Sequence, residues 1–142
     1  MNSFNSNVNT GTLVAINTNN NDINIAADFV RAADCIQKLD LLAGSGNVVI
    51  SKSLGTDTTA PLSDVEITGN NITVTGTGGI YGDNITVTVQ NLYEQQEGST
   101  VKSVSSKYFT QKSSAPSGQE SKAVIAGNVT SSLTTFESEV FV

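Results

Sequence analysis

Residues 65–90 hold a near repeat: Gly69, Asn70, Asn71, Ile72, Thr73, Val74 and Thr75, then Gly82, Asp83, Asn84, Ile85, Thr86, Val87 and Thr88. In each copy a Gly/Asn/Asp turn opens onto Ile and Val alternating with Thr. That is the period-2 pattern of a strand with one apolar face and one polar face. Just upstream, Val65 and Ile67 alternate with Glu66 and Thr68. The Gly and Asn residues between them predict a hairpin that folds 65–68 back on 72–75, and with the second copy a β-meander at the centre of the molecule.

Composition agrees with a strand-rich chain. Only 14% of the 142 residues are charged and 6% aromatic, whereas Asn, Ser, Thr and Gly abound, which favours β-structure with uncharged polar outer faces. The length gives one domain with a modest core. Helical spacing is expected over 25–43: Ala26, Phe29, Val30, Ala33 and Ile36 recur at threes and fours, opposite Asp28, Arg31, Asp34 and Lys38. Asn24 is placed to cap that helix, Gly44 to close it, and Asp34 to pair with Lys38. Cys35, Leu39 and Leu42 add a second apolar stripe that needs cover from a loop or another subunit.

The expected fold is therefore mainly β (α+β): a small antiparallel β-sandwich or barrel-like meander with one amphipathic helix and an extended N-terminal arm. The arm is 1–12, polar and Asn/Ser-rich with Phe4 and Val8 as apolar anchors, and the β-rich domain is 13–142. Residues 111–121, with Ala115, Pro116, Ser117 and Gly118, read as a flexible connection. The ending Glu139, Val140, Phe141 and Val142 reads as a strand tied into a sheet or an interface.

Several kinds of function are disfavoured by residue content. The net charge of −6 argues against nucleic acid and against an acidic membrane surface. The N-terminus has neither positive charge nor an apolar run, so no signal peptide is expected, and no window nears the ~18 apolar residues of a spanning helix. Without histidine, the Ser-His-Asp and Cys-His schemes and His-ligated metals fall away. Cys35 has no base beside it in sequence and reads as a packing residue. The thirteen carboxylates are scattered, so no catalytic residue, metal site or cofactor is expected and the chain is not read as an enzyme.

The glycines of 76–79 and 44–46 lack the strand, helix and Lys-Ser/Thr context of a phosphate cradle. Residues 78–85 approximate a calcium-binding β-roll repeat but carry an inserted residue and no tandem copies, which leaves a hairpin turn as the expectation. Three Asn-x-Thr sequons, at Asn71, Asn84 and Asn128, follow from the Asn-turn and Thr-strand composition. Lys102, Lys107, Lys112 and Lys122 cluster in sequence around Tyr108 and Phe109, suggesting a solvated strand or a docking face for an acidic protein surface.

With its Asn/Ser arm and its Gly-Asn-Asn-Ile-Thr-Val-Thr turn-strand units, the whole chain resembles the cement or decoration proteins of tailed-bacteriophage capsids. That resemblance implies a homo-oligomer, a trimer by preference, made in the host cytoplasm and seated on the outer surface of the major capsid protein lattice in the virion. Its implied interface residues are Phe4, Val8, Leu39, Leu42, Val140 and Phe141. A tail-tube, tail-fibre or head-fibre subunit is the first alternative. A carbohydrate-binding β-sandwich is the second, although only Tyr81, Tyr93 and Tyr108 are available as ring platforms besides phenylalanine.

Overall fold

The computed structural model describes residues 4–6, 12–31, 37–57 and 59–142. Among these there is no helix and every strand pairing is parallel. The strands are β1 (Phe4–Ser6), β2 (Thr12–Asn17), β3 (Ile23–Ile25), β4 (Phe29–Arg31), β5 (Gln37–Leu42), β6 (Val48–Ile50) and β7 (Ser53–Leu54). They continue as β8 (Leu62–Val74), β9 (Gly79–Gln95), β10 (Thr100–Ser113), β11 (Lys122–Ile125), β12 (Asn128–Thr130), β13 (Leu133–Phe136) and β14 (Glu139–Phe141).

The chain winds as a coil with three walls, each circuit stacking on the one before. One wall runs β1, β4, β7 and then the starts of β9 and β10, ending on β12. The second wall runs β2, β5, β8, β9, β10 and β13. The third runs β3, β6, β8, β9, β11 and β14. Among the described residues six circuits result, and of their strands β9 alone bends through all three walls. The fold is thus a parallel β-solenoid, not an antiparallel sandwich or barrel.

Alternation puts one side chain of each pair inside, and stacking gathers the inner ones into columns. Val14, Leu39, Val65, Ile85, Phe109 and Thr134 share one register position; Ile16, Leu41, Ile67, Val87, Gln111 and Phe136 share the next inward one. On the third wall Ile23, Val48, Ile72, Tyr93, Ala123 and Val140 align. The middle members of each column are buried. Aromatic rings thicken the core toward the C-terminal circuits, where Phe109 packs 6.0 Å from Tyr93 and 5.9 Å from Phe136, centroid to centroid.

Three sequence expectations fail here for identifiable reasons. The hairpin does not form: 65–68 and 72–75 belong to neighbouring walls of one circuit, and Gly69 and Asn70 make the corner between them. Val65 pairs with Leu39 and Ile85, while Ile72 pairs with Val48 and Tyr93. Likewise 78–85 is no hairpin turn: Gly79–Gly82 lie on the first wall and Asn84 and Ile85 on the second, within the one strand β9.

The helix over 25–43 is replaced by the end of β3, by β4 and by β5, with 32–36, including Asp34 and Cys35, outside the described residues. In β5, buried Gln37, Leu39 and Leu41 alternate with outward Lys38, Asp40 and Leu42, a strand period that overrides the threes and fours. Lys38 faces Asp64 of the next circuit at 3.6 Å. Gly44 closes no helix. It turns a corner at φ +59°, and a Cβ there would run into Asn20 Oδ1, the atom that accepts the Ser45 N–H at 3.0 Å.

Candidate functional site

Corners of the coil stack as strictly as its walls. Asn47 donates its backbone N–H to Asp22 Oδ1 (2.8 Å); Asn47 Oδ1 accepts from the Asn71 backbone N–H (3.2 Å) and from Asn71 Nδ2 (3.1 Å). Asn91 Nδ2 then donates to Asn71 Oδ1 at 2.8 Å. This ladder satisfies backbone groups that no strand partner reaches where the chain bends. The asparagines that read as turn formers therefore also tie one circuit to the next.

Polar groups inside the coil gather near its C-terminal end. The Tyr93 hydroxyl donates to Gln95 Oε1 (2.9 Å), and Gln95 Nε2 donates to the Asn128 carbonyl (2.7 Å). Burial pushes the Tyr93 hydroxyl well above its ordinary pKa. Gln111 Nε2 donates to Ser138 Oγ (2.8 Å), the Ser138 N–H donates to Gln111 Oε1 (3.1 Å), and the Ser138 and Ser121 hydroxyls meet at 2.5 Å. Ser121 Oγ also donates to Ser113 Oγ at 2.6 Å. These hydroxyls line an open groove of about 500 Å³ with Gln119, Glu120, Glu137 and Glu139. They are engaged in holding the last two circuits together. Among the described residues no three Asp, Glu, Cys or His side chains are grouped to hold a metal ion.

The outer surface disperses what looked clustered in sequence. Lys102 lies on the first wall, bonded to Asp57 at 2.9 Å; Lys112 is on the second; Lys122 is on the third, 6.0 Å from the Phe141 ring centroid. Phe109 is buried while its neighbour Tyr108 is exposed. A shared basic-aromatic patch does not assemble. On the second wall Asp40 and Glu66 are register partners, beside the Lys38–Asp64 pair, along a shallow cleft that also includes Asn84 and Thr86.

The six residues singled out for contact part company. Phe4 stands in β1 at the register position of Phe29, and Val8 lies outside the described residues. Leu39 is buried in an inner column, and Leu42 is half-buried on the outside between Asn17 and Thr68. Val140 and Phe141 come together on β14, 39% and 43% exposed.

The surface on which they sit is the end face of the solenoid. β12, β13 and β14 each pair on one side only, with β10, β10 and β11. At the other end β1, β2 and β3 pair only with β4, β5 and β6. Sequence reasoning passed over Leu133 (57% exposed) and Leu13 (51%), which mark the two ends. Their signal was available only through register, since both occupy the outer column of Lys38, Asp64, Asn84 and Tyr108. The chain matches no protein-family model, no curated protein and no solved structure.

Proposed function

We propose that the chain is a non-enzymatic structural protein of a virion, serving as a segment of a fibre-like appendage. The supporting observation is the uninterrupted stacking of six parallel circuits on a continuous apolar core. At ~4.8 Å per circuit this makes a rod roughly 25–30 Å long, stiff because each circuit is hydrogen-bonded to its neighbours along all three walls. Outer positions such as Asp40, Glu66, Thr86 and Thr110, and Lys38, Asp64 and Asn84 beside them, suit a solvated shaft. The test is composition: virions purified from the source culture should carry the chain in stoichiometric amount, with immunogold label on an appendage. Its absence from washed particles would overturn the reading.

The exposed Val140 and Phe141 favour a second reading, decoration of the major capsid protein lattice through the end face. Binding there would stabilise the shell by mass action, summed over many sites. Label distributed over the capsid, and saturable binding of the purified chain to bare expanded capsids, would select this reading over a fibre.

A further inference from the structure

We infer that the two end faces of the solenoid are complementary and that copies of this chain stack head to tail, the β12–β14 end of one copy on the β1–β3 end of the next. Three observations carry this. The first is strand matching. The last circuit offers strands of three, four and three residues, and the first offers three, six and three, in the same wall order and direction. Among the described residues none covers the outer edge of either set. A neighbour's circuit laid on top would continue the parallel ladder that the five internal junctions already use.

The second is register. Carrying each column across the junction sets Leu133 on Leu13, Thr134 on Val14 and Phe136 on Ile16 of the next copy. On the third wall Val140 lands on Ile23. The exposed leucines at the two ends would thus cover each other. Half-buried Val14, Ile16 and Phe136 would gain the cover that the middle of each column already has.

The third is area. A circuit of about 24 residues at ~3.3 Å each encloses, with its outward side chains, roughly 600 Å². Joining two ends therefore removes about 1,200 Å² from water, at the lower edge of specific stable interfaces. One contact opposes the fit. Glu139 falls on Asp22 of the next copy, in the corner column of Asn47, Asn71 and Lys122. Relieving that like-charge contact should strengthen the stack.

Sedimentation velocity of the full chain from low to high micromolar concentration tests the inference. The expected result is an open series of species at multiples of 14.8 kDa. Leu13→Asp and Leu133→Lys each alter an exposed side chain, and far-UV circular dichroism checks that each variant keeps its fold. Each alone should lower the association constant at least about tenfold. The two combined in one chain should restore it, because the introduced carboxylate of one copy would then meet the introduced ammonium of the next. Glu139→Gln should raise the constant.

A chain that stays monomeric throughout would overturn the inference. So would a closed dimer, or association sensitive to one end only, as a symmetric end-to-end pair would be. The inference adds the mode of assembly to the structural reading above, and the two fail separately: solution mass decides this one and particle composition decides the other.

Discussion

Replacing Ile67 by alanine tests the solenoid at its centre. Ile67 is fully buried on β8, stacked between Leu41 of the circuit below and Val87 of the circuit above. The substitution removes three buried carbons, about 2.4 kcal/mol of transfer free energy at ~0.8 kcal/mol each. A residual cavity, which strands bonded on both sides cannot close, brings the loss to about 3–4 kcal/mol. Urea unfolding followed by circular dichroism would read this as a lower midpoint at unchanged slope. Combining Ile67→Ala with Val87→Ala should be non-additive by about 0.5–2 kcal/mol, because the two side chains share one cavity. Combining it with Val129→Ala, three circuits away on another wall, should be additive within about 0.5 kcal/mol. Strict additivity of the Ile67–Val87 pair, or a loss below about 1 kcal/mol for Ile67→Ala alone, would refute the stacked register.

Asn71→Ala removes an acceptor for Asn91 and a donor to Asn47; it should cost about 1–2 kcal/mol in the same unfolding assay, whereas Lys38→Ala, at a half-exposed ion pair, should cost under about 1 kcal/mol. Gly44→Val places a branched side chain at positive φ against Asn20 and should lower the thermal midpoint by several degrees, with a loss of about 2 kcal/mol or more. Because Tyr93 holds its proton in the folded state above the pH at which the unfolded chain releases it, stability is fully present below about pH 10. Above that it should fall by up to about 1.4 kcal/mol per pH unit; urea midpoints across this range should flatten in Tyr93→Phe.

Much of the local structure was legible in sequence. Alternation in 65–68, 72–75 and 85–88 marks strands, and the burial of Val65, Ile67, Ile72, Val74, Ile85 and Val87 follows from it. Gly69 and Asn70 were legible as a bend. The helical spacing over 25–43 arises because short strands separated by corners scatter apolar residues at threes and fours, while β5 itself keeps a period of two. Of the contact candidates among the described residues, Val140 and Phe141 reach the C-terminal end face on β14, and Phe4 stands in β1 at the opposite end. Leu39 looks like a sticky surface leucine until Val14 and Val65 are seen beside it in its column.

By itself, then, the sequence determined that 65–68, 72–75 and 85–88 are strands with an apolar inner and a polar outer face, joined at Gly/Asn bends, while over 25–43 it pointed to a helix that the structure replaces with strands. Only the tertiary structure decided which strand lies beside which, and in what direction. A period of two is identical in parallel and antiparallel sheets, so alternation cannot choose between folding back on the next segment and coiling on to the next circuit. The eye-catching repeat at 69–75 and 82–88 has an offset of 13 residues and relates different walls, whereas true partners such as Leu39, Val65, Ile85 and Phe109 lie 20 to 26 residues apart. Uneven corners blur that longer period in the sequence. Closure of the coil restores it, because only stacking in register lets every circuit bury its inner face and bond its backbone to the next.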